Sequence, residues 1–269
     1  MTAATKKAAK KPTKKIGPPP PRRKPAAAAA TRGAAPACRR PHPHVLHFPG
    51  LFSARELARI RAHFDSAKVR SALEPALMHE DAAGDPTTNE RKSDVSFWPL
   101  DEVPGALSRK LRAAARAADD RLKLLPRTKA GVVRIEYEDL QYAEYDGAKK
   151  GHFAQWHTDG GVGGYGGGAD DDDDDPEDTR EISVVALLAE PKADFDGGRF
   201  EICTGGRPDG DRAKRGNTWA LDWAAGDAVA FPAKKLWHRV TKVTRGRRAS
   251  AVLWASAPSG VKHLEERRW

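Results

Sequence analysis

In His157-Thr158-Asp159 a single residue separates an imidazole from a carboxylate, and in extended backbone both side chains leave the chain on one face. One strand can therefore present two metal ligands. Alone the pair is common, and a surface His beside an Asp is its ordinary explanation. A third ligand on the same side of a metal would complete the two-His-one-carboxylate set, which leaves coordination positions open for oxygen activation at ferrous iron. His238 is the candidate. It follows an expected strand, Asp227 to Phe231, and the short connection Pro232-Ala233-Lys234-Lys235, so the chain can fold back antiparallel to the strand bearing His157. By itself His238 would read as a satisfied core histidine. Ten residues further on stands Arg248, with Gly246 offering a turn between them. The next strand then brings its guanidinium towards the same cavity, where a planar fork can grip a carboxylate through two hydrogen bonds, as a dicarboxylic cosubstrate needs. No catalytic side chain beyond the metal centre is singled out.

These groups need strands to hold them. From residue 132 onward the sequence is a series of short β-branched or aromatic runs bounded by Gly, Pro and Asp: Val132 to Tyr145, Ile182 to Leu188, Arg199 to Cys203, Trp219 to Trp223, Ala228 to Phe231, Arg239 to Val243 and Ala249 to Trp254. Ahead of them lie two helical patterns. In Leu51 to Phe64, Ser53 is an N-cap with Glu56 three residues on, and Leu57, Ile60 and Phe64 form one stripe. From Gly105 to Leu125, Leu107, Leu111, Ala114 and Ala118 repeat at helical spacing. Many short strands after a helical lead-in predict a mainly β fold with flanking helices, an α+β arrangement: a double-stranded β-helix, or jelly-roll, core over residues 130–256, with helical support over residues 50–125. Folded structure is expected to begin near His44 to Pro49.

Charge is unevenly placed. Residues 1–40 hold 12 of the 47 Lys and Arg and no Asp or Glu, so the remaining 35 basic side chains face 37 acidic ones. The net charge of +10 belongs to the tail, and the body is not a nucleic-acid-binding domain by bulk charge. Residues 1–41, rich in Lys, Ala and Pro, have too few apolar groups to fold alone and are expected to be a disordered basic arm. A nuclear address, an organelle transit peptide, a polyanion-binding arm and a solubilising linker all remain open for it. The apolar stretch Val184 to Ala189 is far short of a membrane span, and the two cysteines, Cys38 and Cys203, cannot build a disulfide framework or a CxxC site. The expected setting is intracellular and soluble, nucleus or cytoplasm. Residues 160–179, with seven glycines and the run Asp170 to Asp175, are expected to be a long solvated loop. Uninterrupted aspartates lack the alternating ligands of an EF-hand calcium site. The run could instead attract a basic polypeptide, such as the chain's own arm.

Five blocks carry a family resemblance. Leu140-Gln141-Tyr142-Ala143-Glu144-Tyr145, His157-Thr158-Asp159, Asp196-Gly197-Gly198-Arg199-Phe200, Gly226-Asp227-Ala228-Val229-Ala230-Phe231-Pro232, and His238-Arg239-Val240 through Gly246, Arg248 and Trp254 follow one another over residues 130–256. Together they resemble the prolyl 4-hydroxylase-like branch of the 2-oxoglutarate/Fe(II) dioxygenases. The upstream Arg91-Lys92-Ser93-Asp94, with Phe97-Trp98, resembles the segment that lines the site entrance in that family. The resemblance implies His157, Asp159 and His238 as iron ligands, Arg248 as partner of the 2-oxoglutarate C5 carboxylate, and Tyr145 as a tyrosine touching that cosubstrate. The link Asp146 to Gly151 is longer than the family's usual connection, which bears on Tyr145. Gln141 and Thr241 are further candidates to face the cavity, and Trp156 to pack beside the ligand strand.

What the resemblance implies in chemistry is oxidative decarboxylation of 2-oxoglutarate to succinate, coupled to hydroxylation of a substrate C–H by O2, with ascorbate as reductant. The substrate is expected to be peptidyl or a small molecule. An AlkB-like nucleic-acid demethylase shares the triad, but its cosubstrate arginine lies further from the last histidine, and a protein demethylase of the histone type fits the basic tail but has different cupin blocks. A non-catalytic jelly-roll binding module is the reading from another class.

Overall fold

Ile182, Val184 and Ala186 face one way from their strand, while Val185 and Leu187 face the other, and every one of them is buried. A strand apolar on both faces must lie in the middle layer of three, and the rest of the fold follows from that requirement. The computed structural model describes residues 35–76, 91–128, 131–132, 134–160, 180–203 and 218–258, all within one compact unit, Ala34–Trp269. The basic arm before residue 35 and the Gly/Asp-rich loop from residue 161 to 179 lie outside the described residues.

In chain order the elements are Arg39–His42 (β1), Val45–Phe48 (β2), helices Ala54–Phe64 (α1) and Ala67–Ser71 (α2), Glu74–Pro75 (β3), Arg91–Lys92 (β4), Asp94–Trp98 (β5) and the long helix Gly105–Leu122 (α3). Then come Arg127–Thr128 (β6), Gly131–Val132 (β7), Glu136–Tyr137 (β8), Leu140–Asp146 (β9), His152–His157 (β10), Arg180–Leu187 (β11) and Phe195–Gly197 (β12). Phe200–Cys203 (β13), Thr218–Ala220 (β14), Ala228–Pro232 (β15), His238–Val240 (β16) and Val243–Ser256 (β17) complete the elements of the described residues. Among the described residues a large sheet runs β1-β2-β15-β11-β17-β9-β5-β3, with β8 and β12 also paired to β17. A five-stranded sheet runs β14-β13-β16-β10-β4.

The two sheets enclose one core, where Val229, Phe231, Val185 and Val252 of the large sheet meet Phe153, Phe200, Ile202 and Val240 of the small one. On its other face the large sheet is covered by α1 and α3, through Ile60, Phe64, Leu107, Leu111, Ala114 and Ala118. This is the double-stranded β-helix with supporting helices. Helix α1 starts at Ser53 with a reciprocal capping box to Glu56, and Lys110 of α3 grips the same Glu56 carboxylate at 2.6 Å. Helix α3 stops three residues before the expected Leu125, because Lys123 turns left-handed and the buried Asp119 side chain accepts from Leu125 N at 2.9 Å.

Several strands differ from expectation in extent. The run Val132 to Tyr145 is broken: Tyr137 pairs with Ala255 and Gln141 with Val252, so four steps on one strand meet three on the other. That one-residue bulge at Glu138-Asp139 frees the Glu138 carboxylate to take both ends of the Arg180 guanidinium, each at 2.7 Å. The expected strand Ala249 to Trp254 is the middle of the longer β17, which is held on both edges by β11 and β9. Paired structure begins at Arg39, inside the stretch assigned to the arm, because Arg39 pairs with His47 in a hairpin that joins β15.

Candidate metal centre

Strands β10 and β16 are antiparallel neighbours, and His157 and His238 are partners across them. Their rings lie 4.2 Å apart between centroids. Asp159 falls two residues beyond His157, just past the strand, where its N–H donates to Ala233 O at 3.0 Å. That bond ties the turn after β10 to the end of β15 and aims the carboxylate back at the imidazoles. Asp159 Oδ1 lies 3.9 Å from His157 Nε2 and 3.6 Å from His238 Nε2. One donor atom from each of the three residues lies within 4.8 Å of the others, close enough for one ion to touch all three.

The second layer fixes the donor atoms. His157 Nδ1 donates to Gln155 O at 3.1 Å and His238 Nδ1 to Leu236 O at 3.0 Å. A carbonyl can only accept, so each ring carries a proton on Nδ1, which leaves Nε2 as the atom able to ligate a metal. Burial, reinforced by the neighbouring His238, pushes His157 down to about 3, which keeps it neutral and able to ligate. For Asp159 burial acts to raise the pKa. The two imidazoles and the Ser183 hydroxyl, which donates to Oδ2 at 2.6 Å, outweigh it and hold the group ionised. Phe153 stacks on His157 at 3.6 Å and 12°, and the Arg91 guanidinium lies 4.8 Å from the centroid of the Phe153 ring.

The same cavity holds Arg248, which is only 1% exposed and projects from β17. Its Nη1 makes a long contact to Ser250 Oγ at 3.3 Å, while Nε and Nη2 have no hydrogen-bond partner among the described residues. A buried guanidinium without a carboxylate is costly, so the arrangement fits an anion that enters the cavity. Gly198 explains how Arg248 reaches this place: a Cβ there would stand 2.9 Å from Arg248 Cδ, at a φ of +55° that suits glycine. A two-His-one-carboxylate set with a buried cation in the same cavity matches ferrous iron and 2-oxoglutarate in charge and donor type.

Of the other sequence-derived candidates, Tyr145 and Gln141 line this cavity, as does Arg91. Thr241 does not face it. Its hydroxyl accepts from Arg199 N at 2.9 Å in the connection between β16 and β17. Trp156 lies on the opposite face of β10 from His157, with the Arg239 guanidinium 4.5 Å over its ring. Trp98 turns towards the helices, its indole donating to Ser96 Oγ at 2.8 Å, and only Phe97 of that pair stays exposed. Sequence reasoning missed Ser183. Its signal was a lone hydroxyl inside the apolar run Ile182 to Leu188, where a polar group needs a partner.

The sequence profile of the 2OG-Fe(II) oxygenase superfamily matches residues 140–256. A PKHD-type hydroxylase from Pseudomonas putida is 30% identical over 216 residues, covering 79% of this chain and 78% of that protein. A PKHD-type hydroxylase from Acidovorax ebreus is 39% identical over 74 residues, covering 28% of this chain and 27% of that protein. Among solved structures, a Pseudomonas putida prolyl-4-hydroxylase superposes with a TM-score of 0.54 at 18% identity, over 80% of this chain and 94% of that one. A prolyl hydroxylase from Trichoplax adhaerens, in complex with a hypoxia inducible factor oxygen degradation domain peptide fragment, gives 0.53 at 14% identity, over 80% and 84%. At those identities the structural likeness speaks to the fold, which is theirs. With a relative matched over most of both lengths and the family's profile covering the strands that carry the triad, the chain belongs to the 2OG-Fe(II) oxygenase superfamily and is an Fe(II)- and 2-oxoglutarate-dependent dioxygenase.

Proposed function

We propose that this enzyme is a hydroxylase of peptidyl side chains, with His157, Asp159 and His238 as the iron ligands and Arg248 as the anchor of the 2-oxoglutarate C5 carboxylate. The observation that carries the reading is the Arg248 guanidinium, buried in the same cavity as the triad with no carboxylate partner among the described residues. Bound iron and 2-oxoglutarate supply the oxidising chemistry, in which O2 and 2-oxoglutarate are consumed, succinate and carbon dioxide leave, and a substrate C–H becomes C–OH. The chain's own part is positional. His157 and His238 offer Nε2, Ser183 holds Asp159, and Arg248 with the Tyr145 ring 5.3 Å away orients the cosubstrate carboxylate. Val185, Phe200 and Val252 line the same cavity with apolar surface and limit water.

A peptide is favoured by the prolyl hydroxylases that share the fold, one of them solved with a peptide, and Phe97, 53% exposed and the register partner of the cavity-lining Gln141, is the side chain such a peptide would meet. Prolyl side chains are the first to test, in line with the prolyl hydroxylases that share the fold. Ascorbate is proposed as the reductant that restores ferrous iron after unproductive turnover. Mass spectrometry of proline-containing peptide libraries incubated with the enzyme, Fe(II), 2-oxoglutarate and ascorbate tests the assignment. A 16 Da gain on a peptide together with matched succinate release supports it. Succinate release stimulated only by small metabolites would overturn the peptide assignment.

A further inference from the structure

The small sheet has an inner face, which carries His157 and His238, and an outer face whose residues sit one position away from each histidine. On that outer face Trp156 precedes His157, and Arg239 follows His238. The Arg239 guanidinium lies 4.5 Å over the Trp156 ring, so the neighbours of the two histidines are stacked on each other directly behind them. Arg239 is held in turn by Glu201 of β13, its register partner, through Nε at 2.9 Å and Nη2 at 2.8 Å to one carboxylate oxygen. Glu201 is only 3% exposed and its other oxygen accepts from Arg199 Nη2 at 2.6 Å.

This cluster spans a weak place in the backbone. Phe153 pairs with Val240 and His157 with His238, so four steps along β10 meet only two along β16. The ladder is therefore irregular over Ala154 to Trp156, the stretch that should fix the distance between the ligand strands. A side-chain fastening at that point reinforces the pairing where its register slips. The inference rests on the reading of His157 and His238 as iron ligands. We propose that Trp156, Arg239 and Glu201 form a strap across the outer face of the ligand sheet, and that these positioning residues hold the two histidines at metal-binding separation.

A strap of this kind alters metal affinity more than it alters the fold. The test is anaerobic Fe(II) titration of the full-length protein, read by the absorption that develops when 2-oxoglutarate chelates the bound ion, beside thermal unfolding of the metal-free protein. Trp156→Ala and Glu201→Gln are expected to weaken Fe(II) binding by about tenfold, within the range for residues that orient metal ligands. Trp156→Phe, which keeps an aromatic face for Arg239, is expected to restore binding to near the unsubstituted level. Should Trp156→Ala not fold, Arg239→Lys, which keeps the charge for Glu201 but removes the planar stack, carries the same expectation. Wild-type Fe(II) affinity in these variants overturns the strap, and so does a loss that Trp156→Phe fails to restore. His157→Ala is the separate control. If it binds Fe(II) as the wild type does, the ligand assignment fails, whereas lost binding there beside unaffected strap variants removes the strap alone.

Discussion

Arg248 and Tyr145 are register partners on adjacent strands of the large sheet, and the guanidinium carbon stands 5.3 Å from the phenol ring within the cavity that holds the triad. The pairing explains how a fully buried cation is tolerated at that depth. An aromatic face partly replaces lost hydration, and the rest awaits a carboxylate.

Replacing Arg248 by Met removes the charge while keeping much of the volume. In the protein without cosubstrate this variant is expected to be at least as stable as the wild type, since an uncompensated buried charge costs several kcal/mol. 2-Oxoglutarate should raise the unfolding temperature of the wild type and leave that of Arg248→Met unchanged. A variant that is markedly less stable, or one still stabilised by 2-oxoglutarate, contradicts the role given to Arg248.

Ser183 is fully buried and donates to the Asp159 oxygen that faces away from the histidines. Ser183→Ala is expected to lower Fe(II) affinity by about 10- to 100-fold, because the carboxylate loses the bond that orients it. Calorimetric or spectroscopic titration of Fe(II) into the variant measures this directly. Unchanged affinity would show that the Asp159 turn is held by its backbone alone.

Gly198 lies under the Arg248 stem with its φ at +55°. Gly198→Ala should cost about 1–2 kcal/mol through the left-handed backbone. It should also raise the KM for 2-oxoglutarate, because the new methyl would crowd Arg248 Cδ and Val243 Cγ2, each at 2.9 Å. Steady-state kinetics with varied 2-oxoglutarate decides the point, and an unaltered KM contradicts it.

Protonation gives a further handle on the metal-free protein. Burial and His238 push His157 from an ordinary 6.5 down to about 3, so folding favours the neutral ring. Between those two values the unfolded chain takes up a proton that the folded chain refuses. The stabilising contribution is thus complete above pH 6.5 and shrinks as pH falls, by up to about 1.4 kcal/mol per pH unit. Denaturant unfolding should show lower stability at pH 5.5 than at pH 7.5, with a shallower loss in His157→Asn. Equal pH dependence in the two proteins would contradict the buried neutral imidazole.

The centre was legible because its determinants are local. His-x-Asp spacing, the return of the chain to His238 and the two-residue alternation that brings Arg248 inward are all properties of neighbouring residues. What the sequence hid is set by pairing between distant segments. The bulge at Glu138-Asp139 exists only because Tyr137 and Gln141 share β17, and Thr241 turns to Arg199 because β13 happens to run alongside. In Val184 to Leu187 both faces are buried, so the alternation that marks a strand's inner face disappears and Ser183 gives no direction for its hydroxyl. The hairpin of β1 and β2 was invisible for the same reason, since His47 and Phe48 find their sheet through Val229 and Ala228.

The central claim is that His157, Asp159 and His238 hold iron beside an Arg248-bound 2-oxoglutarate. It is tested most directly by loading the full-length protein with Fe(II) and 2-oxoglutarate without oxygen, admitting O2, and measuring succinate, with His157→Ala and Arg248→Met treated in parallel. The account predicts succinate from the wild type, with His157→Ala losing iron and turnover together and Arg248→Met retaining iron but losing turnover at ordinary 2-oxoglutarate concentrations. Succinate release by His157→Ala at the wild-type rate, or a wild type that binds neither iron nor 2-oxoglutarate, would contradict it.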